Sequence, residues 1–162
     1  RRAAAGRKPD VTPRAFVLDQ LLRAQRGPAW SGPSLAEVLK DVDAGLAARR
    51  VLPNAHTIWE LVLHVAAWEE IALKSLTGQR PEVTSEIDWP PVHATDAHAW
   101  KEALQELELA HEALRIAVES LPEDKMDQPV ADKLTAAALL HGVVQHDLYH
   151  AGQIALLRKG PA

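Results

Sequence analysis

The chain contains no cysteine among its 162 residues. This absence excludes disulfide bonds, thiolate metal ligands and a thiol nucleophile supplied by the protein itself, so any sulfur chemistry would depend on a substrate or a cofactor. Aromatic residues are also scarce, with one Phe and one Tyr beside five Trp. The apolar residues are mostly Ala and Leu, which favour helices over strands. We therefore predict an all-α fold.

Long apolar runs and an excess of positive charge are missing as well. No stretch approaches the roughly 20 apolar residues that cross a membrane, and no signal-peptide pattern is visible. The net charge of -4 gives no general attraction to nucleic acid or to anionic lipid. We expect a cytoplasmic protein that binds neither nucleic acid nor membrane and acts on a small molecule.

Length and local sequence predict one domain preceded by a short tail. A chain of this size buries about two-thirds of its unfolded surface around a single core. Four basic side chains lie within residues 1–8, and Pro9 and Pro13 follow them. We expect residues 1–13 to form a flexible basic tail, with tethering to an anionic partner as an alternative role. Residues 14–160 form the predicted helical domain.

Apolar periodicity and capping patterns predict four main helices joined by long links. Their expected ranges are 14–26, 57–77, 96–120 and 133–159. Shorter helices are expected after Ser34 and within residues 42–50, a loop over residues 80–95 and a polar link over residues 123–132. Thr57 and Glu60 have the spacing of a capping box. In the third helix, apolar residues recur at alternating spacings of four and three, which is typical of an antiparallel bundle.

Three histidines on two of these helices form a candidate metal site. His146 and His150 are four residues apart, so their side chains project over the same turn of the fourth helix and share an inward stripe. His64 lies on the inward stripe of the second helix and is the natural third ligand. Three neutral imidazoles with open positions are typical of a catalytic site. Imidazole ligands are compatible with zinc or nickel, our first expectations, and with iron or manganese.

Neighbouring residues leave alternatives open. His111 lies on the seam of the third helix and is a rival ligand or, as we favour, a hydrogen-bonded core histidine. The segment from His146 to His150 resembles the metalloprotease pattern H-E-x-x-H with Asp147 at the glutamate position, but no later His, Asp or Glu supplies a third ligand. Asp147 and Tyr149 are instead candidate catalytic residues that orient a ligand or donate to a substrate, with solvent-facing side chains as the alternative.

Two segments carry a resemblance to a known family. They are residues 57–69 (TIWELVLHVAAWE) and residues 145–154 (QHDLYHAGQI). Together they resemble the DinB/YfiT-like superfamily of small metal-dependent bundle proteins, and the likeness spans about Phe16 to Lys159. The resemblance implies a four-helix bundle with long crossover links and short extra helices. It also places the histidine triad of that superfamily on His64, His146 and His150.

The resemblance implies a function as well. Relatives include transferases and isomerases that use low-molecular-weight thiols such as bacillithiol or mycothiol, and some hydrolases. The first function implied is metal-dependent transfer of such a thiol to an electrophilic small molecule. One alternative is hydrolysis by metal-bound hydroxide, with Asp147, Tyr149 or a residue of the loop in the 80s moving protons. The other is a non-catalytic metal-binding or ligand-binding bundle. Relatives are commonly dimers, and exposed seam residues would favour a homodimer.

Overall fold

The computed structural model describes residues 11–131 and 134–160, and α-helices form most of this part of the chain. In chain order they are α1 (Pro13–Arg26), α2 (Leu35–Leu39), α3 (Ala44–Ala48), α4 (Ile58–Leu76), α5 (Ser85–Asp88), α6 (Ala97–Ser120) and α7 (Ala136–Leu157). A small antiparallel sheet pairs β1 (Pro129–Ala131) with β2 (Leu134–Thr135). Residues 1–10 of the predicted basic tail lie outside the described residues.

The four long helices α1, α4, α6 and α7 form the bundle. Helix α4 packs against α6 and α7, and α1 packs against the same two helices. This arrangement confirms the all-α prediction. Within the described part of the chain, no helix combines the length and the apolar character that crossing a lipid bilayer requires.

Capping residues explain where the long helices begin. Glu60 N donates to Thr57 Oγ1 at 3.1 Å and Thr57 N donates to Glu60 Oε2 at 2.7 Å, so the predicted capping box at the start of α4 is present. Such a cap contributes about 1 kcal/mol to helix stability. Helix α7 begins at Ala136, three residues later than predicted, because the Thr135 side chain accepts a hydrogen bond from Ala138 N and acts as its cap.

Three short elements lie in segments that the sequence predicts to be a loop or a link. The predicted loop over residues 80–95 contains α5, whose first turn is capped by Thr84. The predicted polar link over residues 123–132 contains a 3-10 turn (Glu123–Lys125) and β1. These elements are three or four residues long, which is too short for apolar periodicity to reveal. Helices α2 and α3, in contrast, occupy the two segments where short helices were expected.

The buried apolar side chains form two layers along the bundle. The first apolar layer includes Ile58, Trp59, Val62, Trp100, Leu107 and Ile154. The second apolar layer includes Leu21, Ala72, Leu114, Val118 and Leu140. Each of α4, α6 and α7 contributes one end to the first layer and the other end to the second. The residues midway along these helices therefore lie between the two layers.

Candidate metal centre

The imidazoles of His64, His146 and His150 meet between α4 and α7. His146 Nε2 lies 3.0 Å from His64 Nε2 and 3.1 Å from His150 Nε2. One ligand atom from each residue lies within 4.8 Å of the others, so the three side chains are positioned to hold a divalent metal ion. His64 and His150 are buried, and His146 is partly exposed. The structure thus brings together the three predicted ligands from two different helices.

The loop around α5 fixes the His64 ring. His64 Nδ1 donates to the backbone oxygen of Asp88 at 2.5 Å, and Trp68 Nε1 donates to Asp88 Oδ1 at 2.7 Å. The indole of Trp89 stacks on the His64 ring with centroids 3.8 Å apart and planes 7° from parallel. His56 stacks on the other face of Trp89 at 3.5 Å. Residues 88 and 89 therefore set both the tautomer and the orientation of His64.

A second hydrogen bond sets the tautomer of His150. Its Nδ1 donates to Gln153 Oε1 at 2.7 Å. Because Nδ1 carries the proton in both His64 and His150, the Nε2 atoms of both rings present lone pairs to the space between them. His146 Nε2 can donate to only one of these lone pairs. A cation at this point would satisfy them together, so the donor set fits a metal ion.

Burial also keeps these imidazoles neutral, as metal ligation requires. It lowers the pKa of His64 and of His150. It lowers the pKa of His146 to about 4, and the neighbouring imidazoles of His150 and His64 add to the effect by disfavouring another positive charge. The three rings are therefore uncharged and available as ligands at neutral pH.

A trough of about 500 Å³ opens beside the triad. Its lining comprises His64, Trp68, Ile71 and Ala72 of α4, Ala138, Leu139, Gly142, Val143, His146, Tyr149 and His150 of α7, and Asp88 and Leu134. Along both helices the histidines lie toward one end of the lining. The volume is within the usual range for small-molecule sites, so the trough offers space for a substrate next to the candidate ion.

The two predicted catalytic residues lie in different places. Tyr149 lines the trough, is 65% exposed, and has its ring 5.1 Å from the His150 ring. Asp147 does not line the trough, because consecutive residues on a helix point about 100° apart. Its side chain is fully buried, with Oδ1 4.0 Å from His146 Nδ1. His146 Nδ1 and both carboxylate oxygens lack hydrogen-bond partners among the described residues.

Asp147 belongs to a buried polar cluster, which we define as Gln25, Glu69, His111 and Asp147. Each of the four long helices contributes one member, and the cluster separates the two apolar layers. Gln25 Nε2 donates to Glu69 Oε1 at 3.0 Å, and His111 Nδ1 is hydrogen-bonded to Glu69 Oε2. His111 is therefore a hydrogen-bonded core histidine and not a member of the triad, in agreement with the role we favoured.

Burial controls protonation in this cluster. It raises the pKa of Glu69 to about 8 and raises the pKa of Asp147 well above its usual range, where the charge of Glu69 adds to the effect. Burial also lowers the pKa of His111. The carboxyl groups therefore hold protons at pH values where exposed carboxyl groups would be ionised.

Several residues at the site were not singled out from the sequence. Asp88, Trp89 and Gln153 hold the imidazoles, and Glu69 organises the polar cluster. A signal for Glu69 was present, because it continues the buried series of Ile58, Val62, Val65 and Ala72. Asp88 and Trp89 lie in a segment without helical periodicity, and their role depends on the path by which the chain returns to α4.

Comparison with known proteins agrees with this geometry. A model of the DinB superfamily matches residues 18–154, a span that includes all three histidines and most of the four long helices. No curated protein and no solved structure matches the chain. The family match confirms the resemblance carried by residues 57–69 and 145–154. On this ground, the chain belongs to the DinB superfamily.

Proposed function

We propose that this protein is a metal-dependent enzyme that transfers a low-molecular-weight thiol to an electrophilic small molecule. The observation that supports this proposal is the convergence of three imidazole Nε2 atoms beside a largely apolar trough. A divalent ion held by His64, His146 and His150 would lower the pKa of a bound thiol, so that a thiolate is present at neutral pH. The sulfur comes from the substrate, since the chain has no cysteine.

The residues around the trough have distinct proposed roles. The apolar walls hold the electrophile and exclude water from it. The Tyr149 hydroxyl donates a hydrogen bond to the leaving group or to the developing negative charge. Asp147 acts as a positioning residue behind His146. In the reaction, the thiolate sulfur forms a bond to the electrophilic carbon, the leaving group departs with the bonding electrons, and the thiol proton passes to solvent.

Hydrolysis is a second candidate, supported by one specific observation. Asp88 is the only carboxylate among the described residues of the trough lining, and it is the last residue of α5, within the segment that the sequence predicts to be a loop. In a hydrolase, this carboxylate would accept a proton from the attacking water, and Tyr149 would donate to the substrate. Thiol transfer needs no such base, so the two reactions differ in their dependence on Asp88.

A chelator and a thiol distinguish these functions. Zinc-reconstituted protein is assayed with chlorodinitrobenzene and a panel of thiols that includes bacillithiol and mycothiol, and separately with a nitrophenyl ester without thiol. Thiol transfer predicts thiol-dependent loss of the electrophile that a chelator abolishes. Hydrolysis predicts chelator-sensitive ester cleavage without thiol. Zinc binding without either activity would contradict both candidates and favour a non-catalytic metal-binding bundle.

A matched pair of histidine variants tests the triad itself. His150→Ala should reduce bound zinc and activity, because it removes one of three ligands. His141→Ala is the control, since His141 is exposed on the same helix and does not line the trough. Equal zinc content in wild type and His150→Ala, measured by elemental analysis, would contradict the assignment of the metal site.

A further inference from the structure

We infer that the electrophile has an uncharged, apolar body that lies along the trough between α4 and α7, with its reactive group at the triad. The inference rests on the proposed function for the identity of the reacting partner. The shape and the charge of the trough walls indicate what kind of molecular body fits there.

One wall of the trough is formed by a row of residues along α7. Ala138, Gly142, His146 and His150 follow one another at intervals of four, so their side chains lie in one row. The first two members are small, and a Cβ atom built on Gly142 would meet no atom within 4 Å. His146 and His150 fill one end of this row with imidazole rings, whereas Gly142 and Ala138 leave the other end open. This difference creates the space next to the candidate ligands.

The opposite wall follows α4 away from His64. Trp68 and Ile71 line it, and Leu139 and Val143 of α7 complete an apolar surface. An elongated molecule whose reactive end faces the histidines would lay its remaining atoms against these side chains. Burial of hydrocarbon here would raise affinity about fourfold for each methylene removed from water.

Charge selects against an ionic body. Among the described residues that line the trough there is no Lys or Arg, and the histidines are uncharged at neutral pH, so Asp88 is the only one of these residues with a charged side chain. An anionic group placed along the apolar walls would lose its hydration without gaining a counter-charge. A cationic group would meet Asp88 only where that carboxylate already accepts from Trp68, beside the candidate metal ion. An uncharged body avoids both the loss of hydration and the repulsion from the candidate metal ion.

Matched hydroxamates test this inference on zinc-loaded protein by isothermal titration calorimetry. Acetohydroxamic acid reports the metal-binding group alone. Octanohydroxamic acid adds an apolar chain, and its analogue with a terminal carboxylate in place of the terminal methyl adds the same chain with a charge. We expect the octanoyl compound to bind at least about tenfold more tightly than each of the other two.

Two variants of α7 test whether the octanoyl chain gains its affinity from contacts inside the trough. Gly142→Phe should fill the trough and remove the gain from the octanoyl chain. Gly152→Phe is the matched control, because a Cβ atom at Gly152 also meets nothing within 4 Å and the residue does not line the trough. This variant should retain the gain. Equal effects of both variants would overturn the placement of the substrate body.

A second titration separates this inference from the proposed function. Octanamide and its terminal carboxylate analogue are titrated into metal-free protein, which tests the trough without an ion. Failure of acetohydroxamic acid to bind zinc-loaded protein would contradict the metal site alone. The inference is overturned if the apolar chain adds no affinity in either titration, or if the carboxylate analogue binds as tightly as the neutral compound. Preference for the neutral chain in either titration, lost in Gly142→Phe, supports it.

Discussion

Oδ1 of Asp147 lies 4.0 Å from Nδ1 of His146, and neither atom has a hydrogen-bond partner among the described residues. A histidine that binds a metal through Nε2 carries its proton on Nδ1, and that proton needs an acceptor. Among the described residues, Asp147 presents a carboxyl group to His146 Nδ1, because it follows His146 directly and points into the bundle. The pair therefore connects the candidate metal centre with the buried polar cluster.

We expect Asp147→Asn to weaken zinc binding by about 10- to 100-fold, because a divalent ion at the triad would favour the ionised form of Asp147 behind His146 and an amide cannot supply that charge. The affinity is measured by competition with a chelating indicator, and the thermal midpoint of the metal-free protein shows whether the variant folds. Asp127→Asn is the control, since Asp127 is exposed and distant in sequence from the ligands. A folded Asp147→Asn protein with wild-type zinc affinity would show that this carboxylate does not position His146.

Trp89→Ala should also weaken zinc binding, by about two- to tenfold. The stacked indole holds the His64 ring between α4 and the loop, and an aromatic contact of this kind contributes about 0.5–1.5 kcal/mol. Trp30→Ala is a matched control, because the Trp30 side chain is 100% exposed. Both variants are compared in the same competition assay. Equal affinities would mean that His64 keeps its orientation without the stack.

The metal-free protein should lose stability as the pH rises from about 6.5 to about 8. Glu69 has a folded pKa of about 8 against an ordinary value of 4.5. Between these values the native state holds a proton that the unfolded chain has released, so the free energy of unfolding falls with rising pH. His111 has a lowered pKa and acts in the opposite sense, but only below its ordinary value of 6.5.

Urea denaturation across this pH range measures the slope, which is at most about 1.4 kcal/mol per pH unit for one proton. Asp147 adds to the slope in the same direction, because its pKa is also raised. Glu69→Gln should flatten the dependence, since the amide does not titrate. A Glu69→Gln protein with the wild-type slope would assign the pH dependence to another group.

Tyr149→Phe should reduce kcat/KM by about two- to tenfold, because one hydrogen bond to the substrate contributes about 0.5–1.5 kcal/mol. Zinc content should not change, since the phenol is not one of the ligands. The thiol-transfer assay and elemental analysis measure the two quantities on the same sample. Unchanged kcat/KM would remove Tyr149 from the proposed reaction, and loss of zinc would assign it a structural role.

The long helices and the inward positions of the three candidate ligands were predictable from the sequence, because both depend on local spacing. The capping box at Thr57 and the seam of α6 identify long helices, and the stripes that contain His64, His146 and His150 place these rings on inward faces. These patterns can be recognised from residue spacing alone, because the α-helix has a fixed number of residues per turn. They identify which side chains face inward, and they do not identify what each one meets there.

The supporting residues were less predictable for a physical reason. Trp89 reaches His64 only because the segment after α4 folds back on that helix. Residues 80–95 show no apolar periodicity from which this path could be predicted. Closeness in sequence to the candidate ligands predicts a catalytic role for both Asp147 and Tyr149 and does not distinguish them. Their directions on α7 differ, so Tyr149 lines the trough and Asp147 enters the core.

The buried polar cluster also fixes how the long helices are aligned. A shift of α4 along its axis by one turn, about 5.4 Å, would carry Glu69 into an apolar layer and leave Gln25 and His111 without a partner. Each unpaired group would cost about 1–3 kcal/mol. A helix interface made only of apolar residues would resist such a shift less strongly, because after the shift each leucine would contact another apolar side chain. Side chains that never touch a substrate therefore keep α4 aligned with α1 and α6, at the position along the bundle where His64 meets the imidazoles of α7.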